Sequence, residues 1–404
     1  MKLLTSVLFI FAFSTINSQH LYLKNIHVFD GNSDKIIENS AIKIKNGTIE
    51  WVGKQLSEDP KGYTVIDGFG YYMMSGMIDV HTHISNLKAA DRALKSGVTT
   101  VRSASTSSYQ DVALANLSKT GVIPGPDFIS AGVYVSPNLG ETILADPRLS
   151  VLSNGVRSDD ELRLLVQINA DRGVNVIKTR GTERAGLPET DPRQQTYTTE
   201  QLRVVVDEAA KHNLKVMVHA HGDEGARSAV EAGALSIEHG TYLSRVTLTL
   251  MKTKGVFLVP TIITIEDLKI PGGEYSNPTL ELRGKSMMPE AEQAVKNAIA
   301  LGVKIATGAD NDYSAESTTR VSLEAEHFVR LGMTNFQALQ SATKIAAELL
   351  GLEDKTGTIE VGKEADLILL PKNPLDNIMA LQDVLMVISN GQVALKRIPF
   401  KLID

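Results

Sequence analysis

The sequence predicts an α/β chain, a (β/α)8 TIM barrel carrying a small β-sandwich module built from its two ends. Three observations lead there. Helical patterns in the middle of the chain repeatedly end at a glycine and pass at once into a short apolar run, while both ends hold short apolar stretches separated by tight-turn signals. The 404 residues, 43% hydrophobic and 22% charged, are enough to bury a barrel of about 250 residues plus one appended module.

The chain begins with Lys2, an apolar run over 3–13 and small residues over 14–18, the pattern of a secretory signal peptide spanning 1–19. A membrane anchor would need about 20 apolar residues, and this run is shorter. The expectation is a periplasmic or secreted protein with no stable membrane insertion once the signal is cut. No cysteine follows the run, which excludes lipoprotein attachment.

Short apolar stretches follow at 21–26, 41–44, 49–52 and 63–66, with Asn46-Gly47 and the glycines Gly68 and Gly70 as hairpin signals. The far end repeats the style at 357–359, 365–370, 384–389 and 392–395, with Asn390-Gly391 as a tight turn. Residues 20–73 and 355–404 are therefore expected to pair into one β-sandwich module, leaving 74–354 as the barrel.

Inside 74–354, Gly97, Gly173, Gly233, Gly255 and Gly302 each close a helical pattern and precede an apolar run, and Asn213 does the same before 214–218. Glycine after a helix and before a buried strand is the αβ half of a repeated βα unit. With 77–80 and 128–131, eight strands result. Thr198-x-x-Gln201 and Thr334-x-x-Gln337 read as capping boxes opening two of the helices.

Composition narrows the chemistry. A net charge of -6 with no basic stripe argues against nucleic acid as a partner and leaves a small-molecule substrate. Zero cysteines exclude disulfides, thiolate metal sites and cysteine nucleophiles. Active sites of (β/α)8 barrels lie at the C-terminal strand ends, and there the sequence places His81-Thr82-His83, Lys178, His219, His239 and, just past the eighth strand, Asp310. Residues i and i+2 of an extended segment share a face, so His81 and His83 can hold one cation together. A lone His-x-His is a weak signal; four His and an Asp at the ends of different strands are a strong one. His221 shares a face with His219 and either touches substrate or supports a ligand. His20, His27, His212 and His327 carry no chemistry in this reading.

These residues resemble the metal-dependent amidohydrolase superfamily. The matching stretches are Gly76-Met77-Ile78-Asp79-Val80-His81-Thr82-His83, Gly97-Val98-Thr99-Thr100-Val101-Arg102, Val176-Ile177-Lys178, Val218-His219-Ala220-His221-Gly222, Ser236-Ile237-Glu238-His239-Gly240, and the tail from Gly357 to Leu367. Within the superfamily the chain is similar to imidazolonepropionase-like proteins and Xaa-Pro dipeptidase-like carboxypeptidases. The resemblance implies two divalent ions, usually zinc, with His81 and His83 on one and His219 and His239 on the other. It further implies Lys178 as a bridging N-carboxylysine formed with carbon dioxide, and Asp310 as a ligand and general acid/base. A water between two such ions would have its pKa lowered towards about 7.

Three departures stand out: Ser75 replaces a usual Pro, Ser103 a common Asp, and the 132–139 loop lacks a His-containing glycine turn. The last leaves the substrate class open. Loops after strands four and seven should set specificity. Residues 179–197 offer Arg180 as a carboxylate fork, with Arg184 and Arg193 read as solvated; 262–288 reads as a lid, and Tyr242 is a further substrate-binding candidate.

The leading expectation is hydrolysis of an amide bond in a dipeptide or N-acyl amino acid. Cyclic-amide opening, which in relatives needs one metal and no lysine, comes next. Phosphotriester or lactone hydrolysis would use the same site, and an inactive exported metal-binding protein is the reading of another class. A homo-oligomer is compatible with each.

Overall fold

The computed structural model describes residues 20–271 and 277–398. The expected signal peptide, 1–19, lies outside the described residues. Strands β1 (Leu21–Phe29), β2 (Ile36–Lys45), β3 (Thr48–Lys54) and β4 (Thr64–Ser75) open the chain. The middle of the chain supplies β5 (Met77–Thr82), β6 (Val98–Ser103), β7 (Asp127–Ile129), β8 (Val176–Arg180), β9 (Lys215–Ala220), β10 (Ser236–His239) and β11 (Phe257–Val259). The chain then returns to β12 (Leu367–Leu370), β13 (Met386–Ser389) and β14 (Gln392–Lys396).

The two ends pair as expected, but into one seven-stranded sheet ordered β14-β13-β12-β4-β1-β2-β3, where two packed sheets were expected. The reason lies in β4. Its glycines were read as a hairpin signal; instead the strand runs through them as a bulge, with Phe69 and Gly70 at positive φ, and pairs in parallel with β1 while β12 pairs on its other edge. A side chain at Gly68 would strike Ile26, its Cβ lying 2.2 Å from Ile26 Cγ2, so the bulge requires glycine there. The Asn46-Gly47 and Asn390-Gly391 turns do form, with both residues of each pair at positive φ. The stretch 357–359, expected as a strand, is a turn whose Ile359 N–H donates to the Asp30 carbonyl. Alternation along β12 buries Leu367 and Leu369 in the sheet's own core and Ile368 and Leu370 against the helical layer.

Where one closed barrel was expected, the middle strands form two parallel sheets, β5-β6-β7 and β11-β10-β9-β8. The eighth expected strand, 303–306, joins neither as a strand and is held by a single bridge, Leu258 to Ile305, and by hydrogen bonds such as Val80 N to Thr307 O at 3.0 Å. At the other seam Val176 N donates to Ser130 O and Val135 N to Lys178 O, at 3.1 and 2.9 Å. The glycine-ended connections are as expected: within two residues of each helix end the chain turns through positive φ, at Gly97, Gly173, Asn213, Gly233, Gly255 and Gly302. Both capping boxes form. The 262–288 stretch is largely helical rather than a loop, with helices Ile262–Leu268 and Pro278–Leu301 and residues 272–276 outside the described set.

Candidate metal centre

The C-terminal ends of the parallel strands converge on a cavity of about 750 Å³ whose lining includes His81, His83, Lys178, Arg180, His219, His221, His239 and Asp310. Two groups of three could each hold a cation: His81, His83 and Asp310, and His219, His221 and His239, each with its ligand atoms within 4.8 Å of one another. Asp310 Oδ1 lies 3.3 Å from Nε2 of both His81 and His83. The rings of His219, His221 and His239 stand 4.5–4.9 Å apart by centroid. The second group includes His221, which the sequence left between ligand support and substrate contact.

Four of the five imidazoles are oriented by a partner at Nδ1, as metal-binding imidazoles usually are. His81 Nδ1 meets Glu238 Oε2 at 2.7 Å, and His83 Nδ1 meets the Ser105 carbonyl at 3.0 Å. His221 Nδ1 meets Thr241 Oγ1 at 2.8 Å, and His239 Nδ1 meets Thr261 Oγ1 at 2.7 Å. Glu238 is itself held by a buried Arg102, whose Nη2 donates to Oε1 at 2.9 Å while its Nε donates to Val80 O. Asp79 accepts from His81 N, Ala309 N and the Tyr313 hydroxyl, which ties the His81 strand to the Asp310 turn. His239 and Asp310 both stand at positive φ, a conformation that non-glycine residues keep only where the surroundings impose it.

Burial sets the protonation states. It drives His219 and His239 well below the usual imidazole range, with neighbouring imidazoles adding to the effect, and lowers His221 to about 3. All three are neutral at physiological pH, the form that binds a cation. Glu238 goes down to about 2, because Arg102 and His81 outweigh its burial. Burial also pushes Asp310 up, but His81 and His83 overcome it and hold the carboxylate well below its usual range. Lys178 is 2% exposed, its Nζ has no hydrogen-bond partner, and burial brings it down to about 8.

Arg180 ends β8, is 7% exposed, pairs through Nη1 with Glu183 and leaves Nε without a partner. The Tyr134 hydroxyl is another buried group with no partner, and its ring lies 5.8 Å from Lys178 Nζ and 6.0 Å from the Arg180 guanidinium. Arg193 is solvated and pairs with Asp191, as expected, whereas Arg184 lines the cavity. Tyr242 is outside the cavity lining. Sequence reasoning gave no role to Arg102, Glu238, Asp79, Tyr313, Thr241, Thr261 or Tyr134. The available signal was a charged residue inside a short barrel-strand stretch of the sequence, true of Asp79, Arg102 and Glu238.

The profile of the amidohydrolase family matches residues 72–394. The chain belongs to this family. Ochratoxinase from Aspergillus niger is 28% identical over 389 residues, covering 86% of this chain and 80% of that protein. Imidazolonepropionase from Rhizobium rhizogenes is 26% identical over 377 residues, covering 82% and 86%. Among solved structures, a Xaa-Pro dipeptidase with methionine bound in its active site superposes with a TM-score of 0.82 at 28% identity, covering 93% of this chain and 99% of that one. This member of the amidohydrolase family is a hydrolase acting on carbon–nitrogen bonds of small molecules. No helix among the described residues is long and apolar enough to cross a membrane.

Proposed function

We propose that the protein cleaves the amide bond of a small carboxylate-bearing substrate, a dipeptide or an N-acyl amino acid, using two divalent ions, zinc by preference. One observation carries this reading: two three-residue ligand sets share one cavity with a buried lysine whose Nζ has no partner. His81, His83 and Asp310 would hold one ion and His219, His221 and His239 the other. Lys178 is the candidate bridge. With its pKa near 8 a useful fraction of the amine is neutral, and that form adds carbon dioxide, releasing a proton and leaving a carbamate anion. When bound, the ions supply a water activated near neutral pH and polarise the scissile carbonyl.

The remaining work falls to side chains. Asp310 stays ionised, so it can accept a proton from the attacking water and return it to the departing nitrogen. Arg180, buried with a free Nε, is suited to the substrate carboxylate, and the Tyr134 hydroxyl offers a second donor. The two parallel sheets, joined by hydrogen bonds at both seams, are read as the (β/α)8 barrel that brings these groups to one mouth. Residues 1–19 are read as a signal peptide, which places the mature protein in the periplasm or outside the cell.

The test is elemental analysis after zinc loading with bicarbonate, followed by a screen of dipeptides and N-acyl amino acids for amine release. About two ions per chain and release from carboxylate-bearing amides are expected, and Lys178→Ala should lower both metal content and turnover. One ion per chain with an unimpaired Lys178→Ala variant would refute the two-ion reading and favour cyclic-amide opening.

A further inference from the structure

Part of the cavity wall is apolar and comes from two separate stretches of chain. Ala185 and Leu187 follow β8, and Ile265 and Leu268 belong to the helix Ile262–Leu268; all four line the cavity, and Ala185, Ile265 and Leu268 are at most 5% exposed. The same cavity is also lined by charged groups, among them Lys178, Arg180 and Asp310, and Glu183, Arg184 and Glu189 beside the first apolar stretch.

Both stretches lean on one turn of the helix Pro278–Leu301. Arg283 Nη1 donates to the carbonyls of Ala185 and Leu187, each at 2.6 Å, and Nη2 donates to those of Pro188 and Thr190 at 3.1 and 2.6 Å. Four carbonyls of one short loop thus converge on a single planar fork, which an ammonium group could not reproduce. The next residue, Gly284, packs against the other stretch: a Cβ there would lie 2.8 Å from Leu268 Cβ, so the close approach requires glycine.

We propose that Arg283 is the positioning residue of a specificity wall, and that this wall selects substrates carrying an apolar side chain. The inference rests on the amide-hydrolase reading and extends it to the side chain beside the scissile bond. An apolar group gains by leaving water for Ala185, Leu187, Ile265 and Leu268, whereas a polar group set against those four side chains would lose water and gain no hydrogen bond from them. Such a preference requires the loop to stay in place, and Arg283 fastens it.

The experiment compares wild type, Arg283→Met and Arg283→Lys on a matched series of N-acetyl amino acids bearing Gly, Ser, Leu or Phe. Metal content and the rate of tryptic cleavage after Arg184 are measured alongside. Wild type should favour Leu and Phe over Gly and Ser. Arg283→Met should lose roughly ten-fold of that preference, mainly through KM, with unchanged metal content and faster cleavage after Arg184, and Arg283→Lys should fall between. An equal loss on every substrate, or an unchanged preference, would overturn the proposal. If metal-loaded wild type hydrolyses none of the series, the hydrolase reading fails instead. Calorimetry of free leucine against free glycine then decides the wall by itself: tighter leucine binding that weakens in Arg283→Met supports it, and equal binding refutes it.

Discussion

The two ligand sets at the cavity differ in how they are charged. His81 and His83 share a carboxylate, Asp310, and His81 is backed by a second one in Glu238, itself neutralised by Arg102. His219, His221 and His239 have no carboxylate among them, and the hydroxyls of Thr241 and Thr261 orient two of the three. The first set carries anionic charge of its own to offset a cation, whereas the second has only neutral imidazoles and the far oxygen of Asp310, 3.9 Å from His239 Nδ1. A carbamate on Lys178 would supply the missing anion to the second set, which gives the orphaned lysine a physical reason to be there. The same difference predicts acid sensitivity. The imidazoles of the second set have folded pKa values below the unfolded value of about 6.5, so below that pH the unfolded chain binds protons that the folded one does not. Thermal melts of chelator-treated protein should show stability falling as pH drops below about 6.5.

The largest expected effect breaks the first set at its proposed acid–base group. Asp310→Asn keeps one oxygen near His81 and His83 but can neither take nor return a proton, so turnover should fall roughly 10²–10⁴-fold in kcat and kcat/KM together. Next comes Glu238→Ala. It removes the partner of Arg102, which is 1% exposed, and leaves a buried charge uncompensated, a change that costs about 3–5 kcal/mol in comparable cases. A lowered denaturation midpoint, together with loss of metal from the first set, is the expected outcome. The second set should be gentler to perturb. Thr261→Val removes only the hydroxyl that orients His239, and zinc affinity should drop by roughly 10–100-fold, read by competition with a chromophoric chelator, with the melting temperature of the metal-free protein nearly unchanged.

The candidate ligands were legible in the sequence because a strand's C-terminal end can be located from its apolar run and the glycine before it, and parallel strands bring such ends to one side. Lys178 and Asp310 were picked out in this way together with the four His, and all six line one cavity. What escaped was the layer behind them. Arg102 and Glu238 meet across the interior from strands more than a hundred residues apart, and nothing local to either announces its partner. The same limit explains the terminal sheet. Its tight turns were readable because Asn-Gly encodes its own geometry, but Gly68 and Gly70 were misread because a bulge and a hairpin use the same residues. Only the long-range pairing of β4 with both β1 and β12 separates the two. Arg283 was invisible for a further reason: its partners are backbone carbonyls, which no sequence pattern distinguishes.

The smallest effect is expected two residues beyond Asp310, where it sharpens the comparison most. Asp312 also lines the cavity, yet it belongs to neither ligand set, and its Oδ1 accepts the N–H of Ser314 at 2.8 Å within its own turn. An asparagine keeps that acceptor, so the turn survives and only a charge near the cavity is lost. The charge should matter little to a step whose proton moves through Asp310, and Asp312→Asn should retain turnover within about three-fold, a change of the size usual for surface substitutions. Side-by-side kinetics of the two Asn variants on one substrate provide the check. If Asp312→Asn were the crippled enzyme and Asp310→Asn the healthy one, the proton-transfer role would lie outside the His81–His83 set, and the charge asymmetry between the two sets would lose its catalytic meaning.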